Sequence, residues 1–521
     1  VKYLDRHHHE ELRILGKTQY KDYEIRWIPL RFFSIKKSNR VYKYFDLFQF
    51  YHMSLDHAGK KYVGMRKIEI DKDCLTDRKY IEQHRQEIIE YCIQDCRITK
   101  ALGEYMQRLF NKLDVSFDKP FSLAYISQEY FMKHCDIPQF RKSKYQEYAF
   151  KSYYGGRFEV FKRGYFDKVY EYDINSAYPC TISNLLDLRY GSWFKVKDFD
   201  DDADLGFYRV RYSCDDEYIC ALAFKKDQIN VYPRVRNRET YITHVEAKYI
   251  LDHSIADLEI LDGWVWKAYE YVYPFEIIKD LYYKRQELKQ KGDELQLALK
   301  LIMNSLYGKF IQLTPQVRKL EAPGTLKRVV EITSGDHAGE YELYYCTGVL
   351  FNAVYASTIT ATTRVQLLDM FLKHRKRIIA GFTDSVFLDT YVDLNSDKLG
   401  EWKYEGSGDL LMIGSGVYTF RKNDEIKSAI RGIAVSKNFS WFDVFKQYRN
   451  EKVIPIKNVV RVSLKQVLAQ PYAYSYEDMN LIIDKTKEIN INMDRKRQWE
   501  REFKNAGEML ETWIDSTTLE I

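Results

Sequence analysis

Two acidic residues constrain this chain more than any bulk property does. Asp173 closes an apolar, β-like run, VYEYD, and Asp384 belongs to the polar tip Thr383–Asp384–Ser385 between the runs RIIAGF and VFLD, which read as two short strands. They stand 211 positions apart, so they make one site only in a fold that sets the two strands side by side. Carboxylates projecting from rigid strands are what a pair of Mg²⁺ ions about 4 Å apart requires, with attacking and leaving oxygens neutralised in line. Taken alone, either aspartate reads first as a turn or helix N-cap residue.

A second element lies between them. In KLIMNSLYG, residues 300–308, helical spacing sets Lys300, Asn304 and Tyr307 on one stripe, with Leu301, Ile302 and Leu306 facing packing. A cation for a triphosphate, an amide and a ring for a base or sugar make this a nucleotide-reading face, with Gly308 ending the helix and permitting close approach. Arg285 and Lys289 repeat the i, i+4 cationic spacing just upstream, which suits either triphosphate contact or a solvated face. Residues 274–310 are predicted to form two antiparallel helices joined at 291–293, and residues 314–345 a hairpin.

With 521 residues the chain exceeds one ordinary core, and 45% apolar with 16% aromatic residues excludes a disordered chain. The formal charge of +6 names no partner, but residues 421–470 hold 11 Lys and Arg against Asp424, Glu425, Asp443 and Glu451. Eight cysteines without a CxxC pair point to a reduced intracellular protein rather than a disulfide scaffold. The uncharged run 344–363 carries too many Thr, Ser and Asn residues for a membrane span and is expected to be a buried helix. Near the amino terminus, VYKYFDLFQF (41–50) is expected to be a strand of an α/β unit covered by an amphipathic helix over 79–110. His7, His8 and His9 are expected in an exposed loop, since three adjacent imidazoles cannot all face one ion.

Taken together, these strings resemble a family. YDINSAYP is similar to the first polymerase motif of family B DNA polymerases, KLIMNSLYG to the second and GFTDS to the third, in that order from Asp173 to Ser385. YYGG at 153–156 resembles the turn that links nuclease and polymerase modules in the protein-primed branch, and the 84-position interval from Lys300 to Asp384 resembles that branch's insertion. The resemblance implies an α+β multidomain chain with a right-hand polymerase of palm, fingers and thumb, behind a partial RNase H-like 3′–5′ exonuclease domain. It implies the divisions 1–118 (partial exonuclease), 119–165 (linker with the YYGG turn), 166–265 (first palm part with an insertion), 266–310 (fingers), 311–345 (hairpin insertion), 346–420 (second palm part) and 421–521 (thumb).

The same resemblance implies that Asp173 and Asp384 are catalytic and bind Mg²⁺, with Mn²⁺ as an alternative, and that the Ile174 carbonyl completes the ligand set. It places Tyr178 under the deoxyribose, as the selector of dNTPs over rNTPs, with Arg285, Lys289, Lys300, Asn304 and Tyr307 around the triphosphate and base. Tyr153, Gly155, Gly156, Gly308, Thr383 and Tyr418 are the implied DNA contacts. Template-primer DNA, dNTPs and a terminal priming protein are the implied partners of a monomer with no membrane association, in a host cytoplasm or, for a linear plasmid, a mitochondrion. Three departures stand out. Phe382 replaces the first acid of the third motif, Gly416-Val417-Tyr418 lacks the lysine of a Lys-x-Tyr element, and Ala177 replaces a larger apolar residue.

YCIQD at 91–95 resembles the third exonuclease motif, with Tyr91 orienting water and Asp95 binding metal. Asp22 and Glu24 form the only DxE nearby, too close to Asp46 for the intervening strands. The expectation is therefore an exonuclease remnant whose first two motifs lie upstream of Val1, without proofreading. The rival reading is a polymerase-shaped DNA-binding scaffold of a replication complex, inactivated by Phe382. A reverse transcriptase is disfavoured because its paired-acid tip is missing.

Overall fold

The computed structural model describes residues 4–28, 31–70, 78–139, 141–320, 329–423, 425–433, 439–462 and 482–521. Residues 424, 434–438 and 463–470 of the basic window therefore lie outside the described residues. The chain divides into two compact units. One gathers Val1–Asp136, Leu281–Val349 and Arg461–Leu481, the other Ile137–Asp280, Leu350–Val460 and Ile482–Ile521.

The second unit is built on an eight-stranded antiparallel sheet. Its order is Glu425–Ile430, Val417–Lys422, Trp402–Gly414, Arg163–Ile174, Ser385–Leu388, Ile378–Phe382 and Phe158–Val160, and Trp513–Ile514 pairs with the start of the Arg163–Ile174 strand. Strand alternation sorts the side chains onto two faces. Tyr172, Val386 and Leu388 pack with Leu367, Leu368 and Phe371 of the helix Ala353–His374, while Val169, Phe387, Tyr418 and Phe420 build an aromatic cluster on the opposite face. Residues 191–268, where no motif is visible, form a four-stranded antiparallel sheet closed by the helix His244–His253, which starts at a Thr243–Glu246 capping box.

In the first unit a four-stranded meander runs from Lys17 to Phe45. The strand Arg40–Phe45 lies at its edge with Val41, Tyr42 and Tyr44 exposed, so the expected α/β strand covered by a helix is not formed. The aromatic run has β propensity but not the burial that a covered strand needs. The expected helix does exist, broken at His84 into Arg78–Gln83 and Arg85–Asn111. Two helices, Ile277–Gln290 and Leu295–Ser305, flank a turn at Gly292, whose φ is +68°. The expected hairpin is the pair Val329–Ile332 and Gly339–Thr347, to which Leu313–Lys319 adds a third strand.

Two further expectations are corrected. The run 344–363 is not one helix: Tyr344 to Thr347 end a strand, and the helix starts at Ala353. Among the described residues no helix is long and apolar enough to cross a membrane. His7, His8 and His9 are not in a loop but on the helix Arg6–Ile14, with His8 and His9 buried. Donor atoms of Asp5, His7 and His8 do lie within 4.8 Å of one another, at a helix N-terminus whose dipole opposes a cation.

Candidate active site

The Arg163–Ile174 strand runs antiparallel to Ser385–Leu388 with Ser385 opposite Asp173, and the Ile174 N–H donates to the Asp384 carbonyl at 2.8 Å. The remote aspartates therefore meet at one end of the sheet. Asp173 is the penultimate residue of its strand and Asp384 sits in the turn between two, each for a local reason. After Ile174 the chain turns through Ser176, in the left-handed region at φ +49°, into the helix Ala177–Ser183. Thr383 takes φ +58° at the hairpin tip, and the Asp384 N–H reaches back to the Phe382 carbonyl at 2.7 Å.

The electrostatics fit a cation site. The Asp173 carboxyl is pushed up to about 7, first by burial and then by the negative charges of Asp384, Glu405 and Glu171, against which Lys427 acts. Asp384 is raised by burial, again opposed by Lys427. Two carboxylates that resist ionising side by side are relieved by a divalent ion, so the donor set suits Mg²⁺ or Mn²⁺. Tyr178, on the helix after the turn, is close enough to feel Asp384, Tyr153 and Arg364, and burial pushes its phenol up.

The YYGG turn supports the Asp384 hairpin directly. The Thr383 N–H donates to the Arg157 carbonyl at 2.7 Å, and a Cβ on Gly156 would stand 2.7 Å from Thr383 Oγ1. Nothing described lies within 4 Å of such a Cβ on Gly155. Arg364, 4% exposed, anchors the turn from behind: it donates to the Tyr154 and Gly155 carbonyls and pairs with Glu246 at 2.6 Å. Beside the turn, Gly156, Phe158, Asn230, Gly416, Arg431 and Lys496 line a cleft of about 440 Å³.

The departures have structural counterparts. Phe382 is buried and stacks on Tyr418, centroids 5.6 Å apart and planes at 11°, so an aromatic floor occupies the position of the missing acid. Tyr418 is thereby held in that floor, 9% exposed. Gly416 lies in the tight turn joining Trp402–Gly414 to Val417–Lys422 with φ +75°, where a lysine would be strained.

The residues expected to read a nucleotide lie in the first unit, from residue 281 onward. Lys300 and Asn304 are exposed on the helix Leu295–Ser305, whose buried side carries Leu299, Ile302 and Met303. Leu301 is only partly buried, and Tyr307 has left the α-helix for a 3₁₀ turn, so the predicted stripe is broken at its end. Gly308 is exposed, and no described atom lies within 4 Å of a Cβ built on it. Arg285 is partly buried with an unpartnered Nε, and Lys289 is exposed.

In the same unit Tyr91 and Asp95 do meet, through a residue that sequence reasoning missed. Lys67 donates to the Tyr91 hydroxyl at 2.8 Å and to Asp95 Oδ2 at 2.5 Å. No periodicity marks Lys67, which lies in an irregular segment. Asp22 pairs with Lys37 at 2.9 Å, Glu24 with Arg26, and Asp46 accepts from the Phe48 N–H, all ordinary surface roles.

Comparison with known proteins agrees with this geometry. A family model described as DNA polymerase type B, organellar and viral, matches residues 65–315. The DNA polymerase of Acidianus bottle-shaped virus is 25% identical over 476 residues, covering 84% of this chain and 66% of that protein. The DNA-directed DNA polymerase of Enterobacteria phage PRD1 is 25% identical over 392 residues, covering 71% and 66%. The chain thus spans just under two thirds of the length of either relative. Among solved structures, Phi29 DNA polymerase superposes with a TM-score of 0.61 at 18% identity, covering 88% of this chain and 83% of that one, and its complex with primer-template DNA and incoming nucleotide substrates does so equally well, at 17% identity. The fold is that of Phi29 DNA polymerase, and over residues 65–315 the chain is similar to the organellar and viral type B DNA polymerases.

Proposed function

We propose that this chain is a DNA-directed DNA polymerase that adds dNTPs to a primer end on a template. The observation that carries the reading is the pairing of Ser385 with Asp173, which brings two carboxylates 211 positions apart to one end of a sheet. Asp173 and Asp384, with the Ile174 carbonyl, would hold the divalent ions, which supply charge neutralisation at the attacking and leaving oxygens. The chain's own residues do the rest. The sheet fixes the carboxylates, the YYGG turn holds the Asp384 hairpin, and Tyr178 borders the sugar position. Lys300, Asn304 and Tyr307, in the other unit, are proposed as nucleotide contacts from their motif alone. The match to viral and phage polymerases favours initiation on a priming protein. The Lys67–Tyr91–Asp95 cluster offers a single carboxylate, and these 521 residues are proposed to lack 3′–5′ exonuclease activity.

Primer extension on a DNA template with Mg²⁺, then Mn²⁺, tests the reading, with Asp173→Asn and Asp384→Asn as controls. Template-dependent incorporation lost in both variants is expected. No incorporation with either metal, together with retained DNA binding, would instead support the inactive scaffold, to which Phe382 gives the one specific argument.

A further inference from the structure

Glu171 stands two residues before Asp173 on the same face of the same strand. Its side chain is 7% exposed, and its partner is the Lys427 ammonium, which arrives from Glu425–Ile430 on the edge of the sheet. Lys427 lies opposite Phe420, on the side of the sheet that carries the floor of Phe387, Tyr418 and Phe420. The pairing is asymmetric: Glu171 is buried, whereas the Lys427 side chain remains 56% exposed. An ammonium has three N–H donors, and one is taken by Glu171, so the charge is held in a fixed place while still open to a ligand.

The surroundings specify that ligand. Glu171, Asp173, Asp384 and Glu405 make this end of the sheet acidic, and Lys427 is the cation that both aspartates feel. A polyanion approaching before divalent ions are bound would meet repulsion from these carboxylates and attraction at Lys427. The Gly416 position, which lacks the lysine of the Lys-x-Tyr element, lies two residues before Tyr418 at φ +75°, a backbone that disfavours lysine. Lys427 brings an ammonium to the same aromatic floor from the next strand.

We propose that Lys427, tethered by Glu171, contacts a backbone phosphate of the primer strand beside the carboxylate pair. This rests on the polymerase reading above, and the experiment separates the two. Binding of a primer-template duplex is measured by fluorescence anisotropy in EDTA across a salt series, for the wild type, Lys427→Met, Lys427→Arg and the double variant Glu171→Gln/Lys427→Met. The double variant leaves no buried unpaired carboxylate, so it keeps the contact testable should Lys427→Met alone fail to fold. The expected result is roughly fivefold weaker binding by the double variant near 0.1 M salt, with the slope of log K against log salt smaller by about 0.9. Lys427→Arg should bind like the wild type.

A double variant with wild-type affinity and slope would overturn the contact and leave Lys427 a purely structural partner. An unchanged duplex affinity with a raised KM for dNTP would also overturn it, by moving the phosphate contact to the incoming nucleotide. A wild-type protein that binds no primer-template would instead sink the polymerase reading itself.

Discussion

Asp173 should destabilise the metal-free protein, and removing its charge should reveal by how much. In the folded chain its carboxyl titrates at about 7 rather than 3.8, because burial and the charges of Asp384, Glu405 and Glu171 oppose ionisation. A tenfold change in proton affinity is worth about 1.4 kcal/mol, so full ionisation would cost about 4 kcal/mol, and partial solvent screening reduces this to about 2 kcal/mol. The sign follows from linkage. The folded state keeps this proton where the unfolded state has lost it, so the favourable contribution is complete below about pH 4. It is lost as pH rises to about 7, and above that the full penalty remains. Asp173→Asn should therefore raise the melting temperature in EDTA at pH 8 by roughly 4 °C, with little difference from wild type at pH 4. Mg²⁺ should stabilise the wild type and leave the variant unmoved, because only the former binds it in the folded state. Thermal unfolding followed by circular dichroism, at pH 4 to 8 with and without Mg²⁺, checks this. An Asp173→Asn protein that melts at or below wild type at pH 8 would refute the reasoning.

Other positions test the supports of the site. Gly156→Ala places a Cβ 2.7 Å from Thr383 Oγ1 and should lower primer-extension rate at least about tenfold, with the circular dichroism spectrum unchanged. Arg364→Met strands Glu246 in the interior and should cost about 3–5 kcal/mol in urea unfolding, with Arg364→Met/Glu246→Gln recovering part of the loss. Tyr178→Val should narrow the preference for dNTPs over rNTPs by about tenfold or more in single-nucleotide incorporation assays.

What could be read from the sequence was whatever a local pattern encodes. Asp173 and Asp384 were visible because each interrupts a short apolar run at a turn, and their junction was expected because motif order implied a fold that joins them. The helix pair around Gly292 and the hairpin ending at Thr347 were legible for the same reason, since turn chemistry marks both. Lys427, Lys67 and Arg364 were not. Each is one of many charged residues, and its partner, Glu171, Asp95 or Glu246, is chosen by strand register or helix packing rather than by spacing. The 344–363 run misled because an uncharged sequence does not distinguish a strand followed by a helix from a single helix. The 41–50 run misled because aromatic residues favour an exposed edge strand as readily as a covered one. Phe382 read as a missing acid, and only the stack on Tyr418 shows that the position belongs to an apolar cluster.

The strand that carries Asp173 is also paired, at Arg163 and Gly164, with Ile514 and Trp513. A ribosome delivers those residues some 340 positions after the strand they complete. The nascent chain thus carries Asp173 and Asp384 long before their sheet can close, and closure waits on the docking of a late segment onto an early one. Any truncation before Trp513 should leave an open, adhesive edge in the strand that carries Asp173.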